Sequence, residues 1–191
     1  MKVGLFFGSF NPVHVGHLII AQSALNETDL DRVWMVVSPQ NPFKKKSSLL
    51  SEYERFRMVE FALEDHPDIM ASNVEFMLPK PSFTIDTLTH LHDQYKSYEF
   101  SLLMGEDNLQ YLHKWKNAEA LIKYYSIYAY PRLGSDGSGF DKYPDIHRFE
   151  LPYLDISATR IRQMCKGRKS VRYLVPGKAY DYLDKNLFYV D

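Results

Sequence analysis

The sequence predicts an α/β fold in which a doubly wound parallel sheet of about five or six strands carries helices on both faces. The first observation behind this prediction is that short apolar runs alternate with helical patterns along the 191 residues. The second is that residues 3–7 are almost continuously apolar, as in a strand buried on both faces. The third is that a polar loop with glycine, serine and histidine, residues 8–17, follows this run and precedes a helical pattern.

Periodicity and capping signals place the elements of the first half of the chain. We expect strands over residues 33–37 and 71–76, and helices over residues 18–25 and 84–95. Ser51 and Glu54 form a capping-box pattern, which opens a further helix of about 15 residues. The pair His66-Pro67 is expected to end that helix.

The second half continues the alternation and ends in helices. We expect strands over residues 100–104, 126–130 and, as a short one, 149–151, and helices over residues 117–124, 157–166 and 176–186. Residues 134–139 are rich in glycine and serine and are predicted as a mobile loop. Residues 1–191 are predicted as a single domain, and residues 156–191 as its C-terminal helical portion.

Composition excludes several classes of protein. The net charge is −1, so there is no general electrostatic case for binding nucleic acid or a membrane surface. No apolar run approaches the ~20 residues that a membrane span needs. Cys165 is the only cysteine, which excludes an internal disulfide and fits a reducing compartment. We therefore expect a cytoplasmic protein. Its oligomeric state stays open, with a homodimer as the one assembly considered.

The loop after the first strand carries the strongest signal for chemistry. His14 and His17 are three residues apart, which puts both rings on one side of a helical turn. A helix N-terminus favours anions, Gly8 lets the backbone turn there, and Gly16 leaves the histidine side without a Cβ. Two imidazoles at such a place suit phosphoryl oxygens better than a metal, so no metal ligands are predicted. Two histidines alone would be ordinary capping residues; the whole string favours phosphate binding.

A second candidate anion site lies at the start of the helix predicted from residue 157. Ser157 is a good N-cap residue. Thr159 and Arg162 follow in the first turn and a half, where a cation opposes the helix dipole unless an anion is nearby. We interpret Ser157, Thr159 and Arg162 as a polyphosphate cradle. Arg160 and the later basic residues are interpreted as a solvated face.

These two segments resemble the signatures of one superfamily. Residues 8–17 match the pattern Gly-(Ser/Thr)-Phe-(Asp/Asn)-Pro-x-His-x-Gly-His, and residues 156–162 are similar to Ile-Ser-x-Thr-x-(Ile/Val)-Arg. Both patterns are typical of the nucleotidyltransferases related to class I aminoacyl-tRNA synthetases. The resemblance implies a Rossmann-like fold, catalytic roles for His14 and His17, and a set of ATP-binding residues. That set comprises Gly8, Ser9, Phe10, Gly16, Arg132, Ile156, Ser157, Thr159 and Arg162.

Within that superfamily the chain looks like the bacterial nicotinate mononucleotide adenylyltransferases. Residues 38–44 are similar to a loop of that family, which implies a phosphate role for Lys44, although Phe43 stands where histidine is usual. Residues 81–88 and 104–115 also resemble family segments, and Arg132 aligns with an arginine of the adenosine region. The resemblance implies a substrate-binding set of Lys44, Thr84 for a carboxylate, Gly105, Asp107 for a ribose and Trp115 for stacking on the pyridine ring.

The implied reaction is adenylyl transfer from ATP to nicotinate mononucleotide, giving deamido-NAD and pyrophosphate. Magnesium is the implied cofactor, bound mainly through the ATP phosphates. Two other interpretations stay open: a sibling adenylyl- or cytidylyltransferase with phosphopantetheine or nicotinamide mononucleotide as acceptor, and a nucleotide-binding sensor without catalysis. A synthetase fragment is a poor fit, because 191 residues leave no room for an anticodon-binding domain.

Overall fold

Six parallel strands form one sheet in the computed structural model, which describes residues 1–39, 49–134, 138–143, 145–152 and 154–190. The strand order is β3-β2-β1-β4-β5-β6. The strands are β1 Lys2–Gly8, β2 Arg32–Val37, β3 Ile69–Ser72, β4 Glu99–Gly105, β5 Ile127–Tyr130 and β6 His147–Arg148. The order reverses direction between β1 and β4, so the sheet has its switch point, where such folds bind ligands, at the carboxyl ends of these two strands.

The described part of the chain also contains seven α-helices and two 3₁₀ helices. The α-helices are α1 Val15–Glu27, α2 Glu52–Leu63, α3 Thr84–Gln94, α4 Ala118–Tyr124, α5 Ser138–Lys142, α6 Ala158–Lys166 and α7 Gly177–Lys185. The 3₁₀ helices span Val74–Met77 and Glu106–Lys114. Within the described ranges, no helix has the length and apolar character needed to cross a bilayer.

The core lies on both faces of the sheet, as the continuous apolar strands predict. Phe6 of β1 packs into a cluster with residues of α1, α2, α6 and α7. Its neighbour Leu5 points to the other face, into a cluster with residues of α3 and α4. Side chains alternate across a strand, so both faces of β1 are removed from water. The predicted doubly wound α/β fold is confirmed.

Several predicted elements shift in their bounds. Helix α1 begins at Val15 rather than at residue 18, which places His17 inside the first helical turn. Ser51 caps α2 by accepting a hydrogen bond from the Glu54 N–H group, as the capping box predicts. That helix ends at Leu63, where Glu64 adopts a left-handed conformation with φ 46°, so the stop comes before His66-Pro67.

Three local predictions are wrong. The strand predicted over 71–76 is β3 at Ile69–Ser72, and the apolar residues after it form the 3₁₀ helix Val74–Met77. The strand predicted over 149–151 is instead β6 at His147–Arg148, whose polar residues carry no strand pattern. Helix α5 begins at residue 138, inside the segment predicted as a loop.

Candidate active site

Two adjoining cavities open at the carboxyl ends of β1 and β4. One, of about 670 Å³, is lined by His14, His17 and the start of α6, and we call it the histidine cavity. The other, of about 580 Å³, is lined by Thr84 and Trp115, and we call it the tryptophan cavity. The residues that line both include Gly8, Ser9, Asn108 and Tyr130. The two cavities therefore meet at the switch point of the sheet.

The two histidines form a stacked pair at the start of α1. Their ring centroids are 3.7 Å apart and the ring planes are inclined by 24°. The backbone N–H of His14 donates to His17 Nδ1 over 3.1 Å. A ring nitrogen that accepts carries no proton, so a neutral His17 carries its proton on Nε2 and can donate from there. The predicted placement of both rings on one side of a turn agrees with this geometry.

His14 is the more enclosed of the pair. It is 6% exposed, and its Nδ1 has no hydrogen-bond partner among the described residues. Burial, and after it the charge of Arg132, lowers the pKa of His14 to about 4. The ring is therefore neutral near pH 7, with one N–H group to donate.

The glycines of this loop make room for side chains. A Cβ on Gly16 would lie 3.1 Å from His14 Nδ1, so this glycine lets the His14 ring lie against the helix. A Cβ on Gly8 would lie 2.8 Å from the ring of Phe10. That ring is 2% exposed and makes an edge contact with His17 at 4.9 Å. The Phe10 ring thus packs against His17 from the core side. A side chain at position 8 would collide with the Phe10 ring, so this position requires glycine.

The second predicted motif meets the first in the histidine cavity. Ser157 caps α6 by accepting a hydrogen bond from the Arg160 N–H group over 3.3 Å. Arg162 donates from Nη2 to the Thr159 hydroxyl over 3.3 Å and from Nη1 to the Asn11 carbonyl oxygen over 2.8 Å. Ile156, Ser157, Thr159 and Arg162 all line the cavity. One cavity therefore collects hydroxyls, helix N–H groups and a guanidinium, which together suit a polyphosphate.

Arg132 and Asp107 lie together at the side of the histidine cavity. Their side chains approach to 3.9 Å, and both are about half exposed. Asp107 therefore lines the histidine cavity with Arg132, although its predicted partners in substrate binding, Thr84 and Trp115, line the neighbouring one. Asn108, which the sequence did not indicate, lines both cavities.

The tryptophan cavity contains the remaining predicted substrate residues. Thr84 is the first residue of α3, so its hydroxyl lies at a helix N-terminus as predicted. Gly105 and Trp115 line the same cavity, together with Lys114 and Lys116. An aromatic ring beside basic side chains and a helix start suits a flat, acidic ligand. Lys44 and Phe43 lie outside the described residues.

A buried arginine holds the loops around both cavities. Arg55 of α2 is fully buried and donates to the carbonyl oxygens of Ser9, Ser38, Leu50 and Pro39, over 2.6 to 3.0 Å. Burial lowers the pKa of Arg55. Sequence reasoning missed this residue, because a charged helical position is usually exposed.

The C-terminal segment also reaches the first motif. The Tyr189 hydroxyl donates to Asn11 Oδ1 over 2.6 Å, and the Leu50 N–H donates to the same oxygen over 3.3 Å. Asn11 thus connects the first motif to the end of the chain. No sequence pattern near residue 189 indicates this contact.

The donor set bears on metal binding. Within the residues described, no group of three or more His, Cys, Asp and Glu side chains could hold a metal ion. The histidine cavity instead offers hydrogen-bond donors for oxyanions. This donor set fits a metal that is held mainly by the phosphates of a bound nucleotide.

Comparisons with known proteins agree with this geometry. A family model described as cytidylyltransferase-like matches residues 5–164. A protein of Flavobacterium psychrophilum named "Probable nicotinate-nucleotide adenylyltransferase" is 50% identical over 191 residues, which cover 99% of each chain. A protein of Cytophaga hutchinsonii with the same name is 50% identical over 189 residues, which cover 99% of this chain and 98% of that one.

A solved structure shows the same fold. Nicotinic acid mononucleotide adenylyltransferase of Plasmodium falciparum, complexed with NaAD, superimposes with a TM-score of 0.81. The alignment covers 98% of this chain and 97% of that one, at 18% sequence identity. At that identity the likeness concerns the fold alone.

Proposed function

Because the chain belongs to the cytidylyltransferase-like family, and within it to the nicotinate-nucleotide adenylyltransferases, we propose that it transfers the adenylyl group of ATP to nicotinate mononucleotide. The products are deamido-NAD and pyrophosphate. The observation that carries this proposal is the meeting of the two cavities at Gly8 and Ser9. A triphosphate in one cavity and a mononucleotide in the other would bring their phosphates together there.

The reaction needs alignment and charge stabilisation more than a protein base. The 5′-phosphate of the mononucleotide is already anionic near pH 7, and one of its oxygens attacks the α-phosphorus of ATP. The bond from that phosphorus to the bridging oxygen breaks, and pyrophosphate leaves with the bonding electrons. Preorganised donors around the transferring group can supply most of the rate enhancement in such a reaction.

The histidine cavity supplies hydrogen-bond donors for the α-phosphoryl group of ATP and for the pyrophosphate that leaves. We assign to His14 and His17 hydrogen bonds to the α-phosphoryl oxygens, which strengthen as charge develops in the transition state. Ser157, Thr159 and Arg162 hold the departing pyrophosphate. Ser9, Arg132 and the loop backbone at Gly8, Phe10, Gly16 and Ile156 complete the ATP site.

The tryptophan cavity orients the acceptor. The start of α3 at Thr84 receives the carboxylate of the nicotinate ring, and the Trp115 ring stacks on the pyridine. We also assign Gly105 to the acceptor site, where its lack of a Cβ leaves room for the side chains of Asp107 and Arg132. Lys44 is assigned to a phosphate. Asp107 is the ribose-binding residue in this proposal. It lies beside Arg132 on the wall of the histidine cavity and is followed in the chain by Asn108, which lines both cavities.

Nucleotidyltransferases of this type normally use a divalent metal ion. We assign magnesium, held mainly by the ATP phosphates. When bound, it would neutralise phosphate charge and favour departure of pyrophosphate. The chain's own part is to hold the same phosphates from the protein side.

The proposed enzyme is a single catalytic domain acting in the cytoplasm. Both cavities lie on one sheet, and the residues that line the histidine cavity range from Phe6 to Arg162. A single cysteine fits a reducing compartment. Microscopy of a fluorescent fusion would test the location.

A panel of acceptors tests the activity. Purified protein with ATP and magnesium is given nicotinate mononucleotide, nicotinamide mononucleotide or phosphopantetheine, and pyrophosphate release is followed. We expect kcat/KM to be highest with nicotinate mononucleotide. A preference for phosphopantetheine would indicate a sibling transferase, and release with none of the three would indicate a nucleotide sensor.

A further inference from the structure

Glu75 is a buried carboxyl in the wall of the tryptophan cavity. It belongs to the 3₁₀ helix Val74–Met77 and is 2% exposed. Ser82 and Thr84 line the same cavity. A carboxyl group is almost never buried to this degree without a partner for each oxygen.

Only one of its oxygens is satisfied among the described residues. The Thr87 hydroxyl donates to Glu75 Oε1 over 2.9 Å, from one turn after Thr84 on α3. Oε2 is buried and has no hydrogen-bond partner within the described part of the chain. Because Oε1 accepts, Oε2 is the oxygen on which a proton would sit and from which it could be donated.

The groups that face this carboxyl are mostly uncharged. Besides Thr87 they are the hydroxyls of Ser38, after β2, and Ser82, before α3. Phe76, the residue after Glu75, packs edge-on against the aromatic rings of Tyr53 and Phe56 of α2. Burial raises the pKa of Glu75, and the nearby hydroxyls oppose this in part.

The charged groups of the cavity lie elsewhere on its wall. Lys114 and Lys116 line the cavity, and Lys116 is paired with Asp86 over 2.8 Å. Glu52, the first residue of α2, is paired with Lys80 over 2.7 Å. None of these charges contributes to the shifted pKa of Glu75.

An acid acceptor would bring a second carboxylate into this cavity. Two carboxylates in one buried site cannot both ionise at low cost, so such a pair shares a proton. The carboxylate of a pyridine acid is the stronger acid of the two and stays ionised. The proton therefore resides on Glu75 whenever an acid acceptor is bound.

We propose that Glu75 is a specificity-determining residue, whose neutral carboxyl donates from Oε2 toward the acceptor's carboxylate and whose ionised form excludes that carboxylate. This inference rests on the proposed function. The amide of nicotinamide mononucleotide carries no charge and can pair with either form of Glu75. The preference for the acid over the amide is then largest at low pH and falls as Glu75 ionises.

The first test compares the two acceptors across pH. The ratio of kcat/KM for the acid to that for the amide is measured between about pH 5 and about pH 9, a range that includes documented values for buried glutamates. Both acceptors carry the same 5′-phosphate, so its titration cancels. In the wild type we expect the ratio to fall about tenfold per pH unit above the Glu75 pKa.

The Glu75→Gln variant separates charge from shape. Its amide oxygen can accept from Thr87, and its NH₂ group stays a hydrogen-bond donor at any pH. We expect it to keep the acid preference, with a ratio that varies by about twofold or less over the range. Glu60→Gln, an exposed change on α2, should keep the wild-type profile. Identical profiles for wild type and Glu75→Gln would overturn the proposal.

A measurement on the wild type alone guards against a variant that does not fold. Calorimetric titration from about pH 5 to about pH 9 in buffers of different ionisation enthalpy gives the protons taken up on binding. We expect uptake with the acid acceptor to exceed uptake with the amide, by an amount that rises toward one proton as the pH passes the Glu75 pKa. Equal uptake with both acceptors would refute the role of Glu75. Failure of every acceptor to release pyrophosphate would instead refute the proposed function.

Discussion

The Arg162 guanidinium donates a hydrogen bond to the Asn11 carbonyl oxygen over 2.8 Å and so joins residues 151 positions apart. The side chain of Asn11 in turn accepts from the Tyr189 hydroxyl. The loop after β1, the start of α6 and the C-terminal segment are thereby held together. Because catalysis by alignment depends on such placement, we expect contacts at Asn11 to affect activity as well as stability.

Replacement of Tyr189 by Phe removes only the hydroxyl that bonds to Asn11. We expect the free energy of unfolding to fall by about 1 kcal/mol, the usual net value of a hydrogen bond. We also expect KM for ATP to rise about threefold, since the loop loses an anchor. Urea unfolding and initial rates measure both. Tyr173→Phe, at a residue 88% exposed, is the matched control. Wild-type values for both quantities in Tyr189→Phe would contradict this role.

Replacement of His17 by Ala removes one donor to the transferring phosphoryl group. We expect kcat/KM to fall by at least about 100-fold, as for the loss of one oxyanion donor. The fold should persist, and circular dichroism checks this. His92→Ala, on the exposed part of α3, should retain the wild-type rate. A His17→Ala variant with near-wild-type kcat/KM would exclude the catalytic role.

Replacement of Trp115 by Ala removes the ring proposed to stack on the pyridine. We expect KM for nicotinate mononucleotide to rise about tenfold, since stacking on an aromatic side chain contributes about 1–3 kcal/mol. KM for ATP should stay unchanged, because Trp115 lines the tryptophan cavity and does not line the histidine cavity. Tyr124→Ala, on an exposed helix end, serves as control. If neither KM moved in Trp115→Ala, stacking would be the wrong interpretation.

The low pKa of His14 predicts a dependence of stability on pH. Burial, then Arg132, sets this pKa to about 4, whereas an unfolded histidine has a pKa of about 6.5. Protonation therefore favours the unfolded chain, and this residue's contribution to stability is lost as pH falls from about 6.5 to about 4. Nuclear magnetic resonance should show an imidazole midpoint near 4, with the signal absent in His14→Asn. A midpoint near 6.5 would show that the ring is solvated.

Most of the fold was predictable from the sequence. The secondary-structure predictions that were wrong have local causes. Alternating apolar runs suffice for strands such as β1, whose buried residues are continuous in sequence. The two residues of β6 are polar and exposed, so only their pairing with β5 makes them a strand. The segment Val74–Met77 has strand-like composition but forms a 3₁₀ helix. In that form Glu75 accepts a hydrogen bond from Thr87, and Phe76 packs against Tyr53 and Phe56.

The motifs at residues 8–17 and 156–162 were predictable because each immediately precedes or opens a helix. Each is also rich in residues that bind anions. The residues that support them were not. Arg55 resembles an exposed helical charge in the sequence, and Glu75 lies in a segment predicted as a strand. Only the folded chain buries these two side chains. Tyr189 reaches Asn11 through a contact that spans 178 positions, which no local pattern encodes.

The most direct test of the central claim follows the oxygens of the acceptor. Nicotinate mononucleotide with ¹⁸O in the non-bridging positions of its 5′-phosphate is incubated with ATP and the protein, and the products are analysed by mass spectrometry. Attack of that phosphate on the α-phosphorus predicts that deamido-NAD retains all of the label and that pyrophosphate contains none. Label in pyrophosphate, or AMP formed without dinucleotide, would contradict the proposed adenylyl transfer.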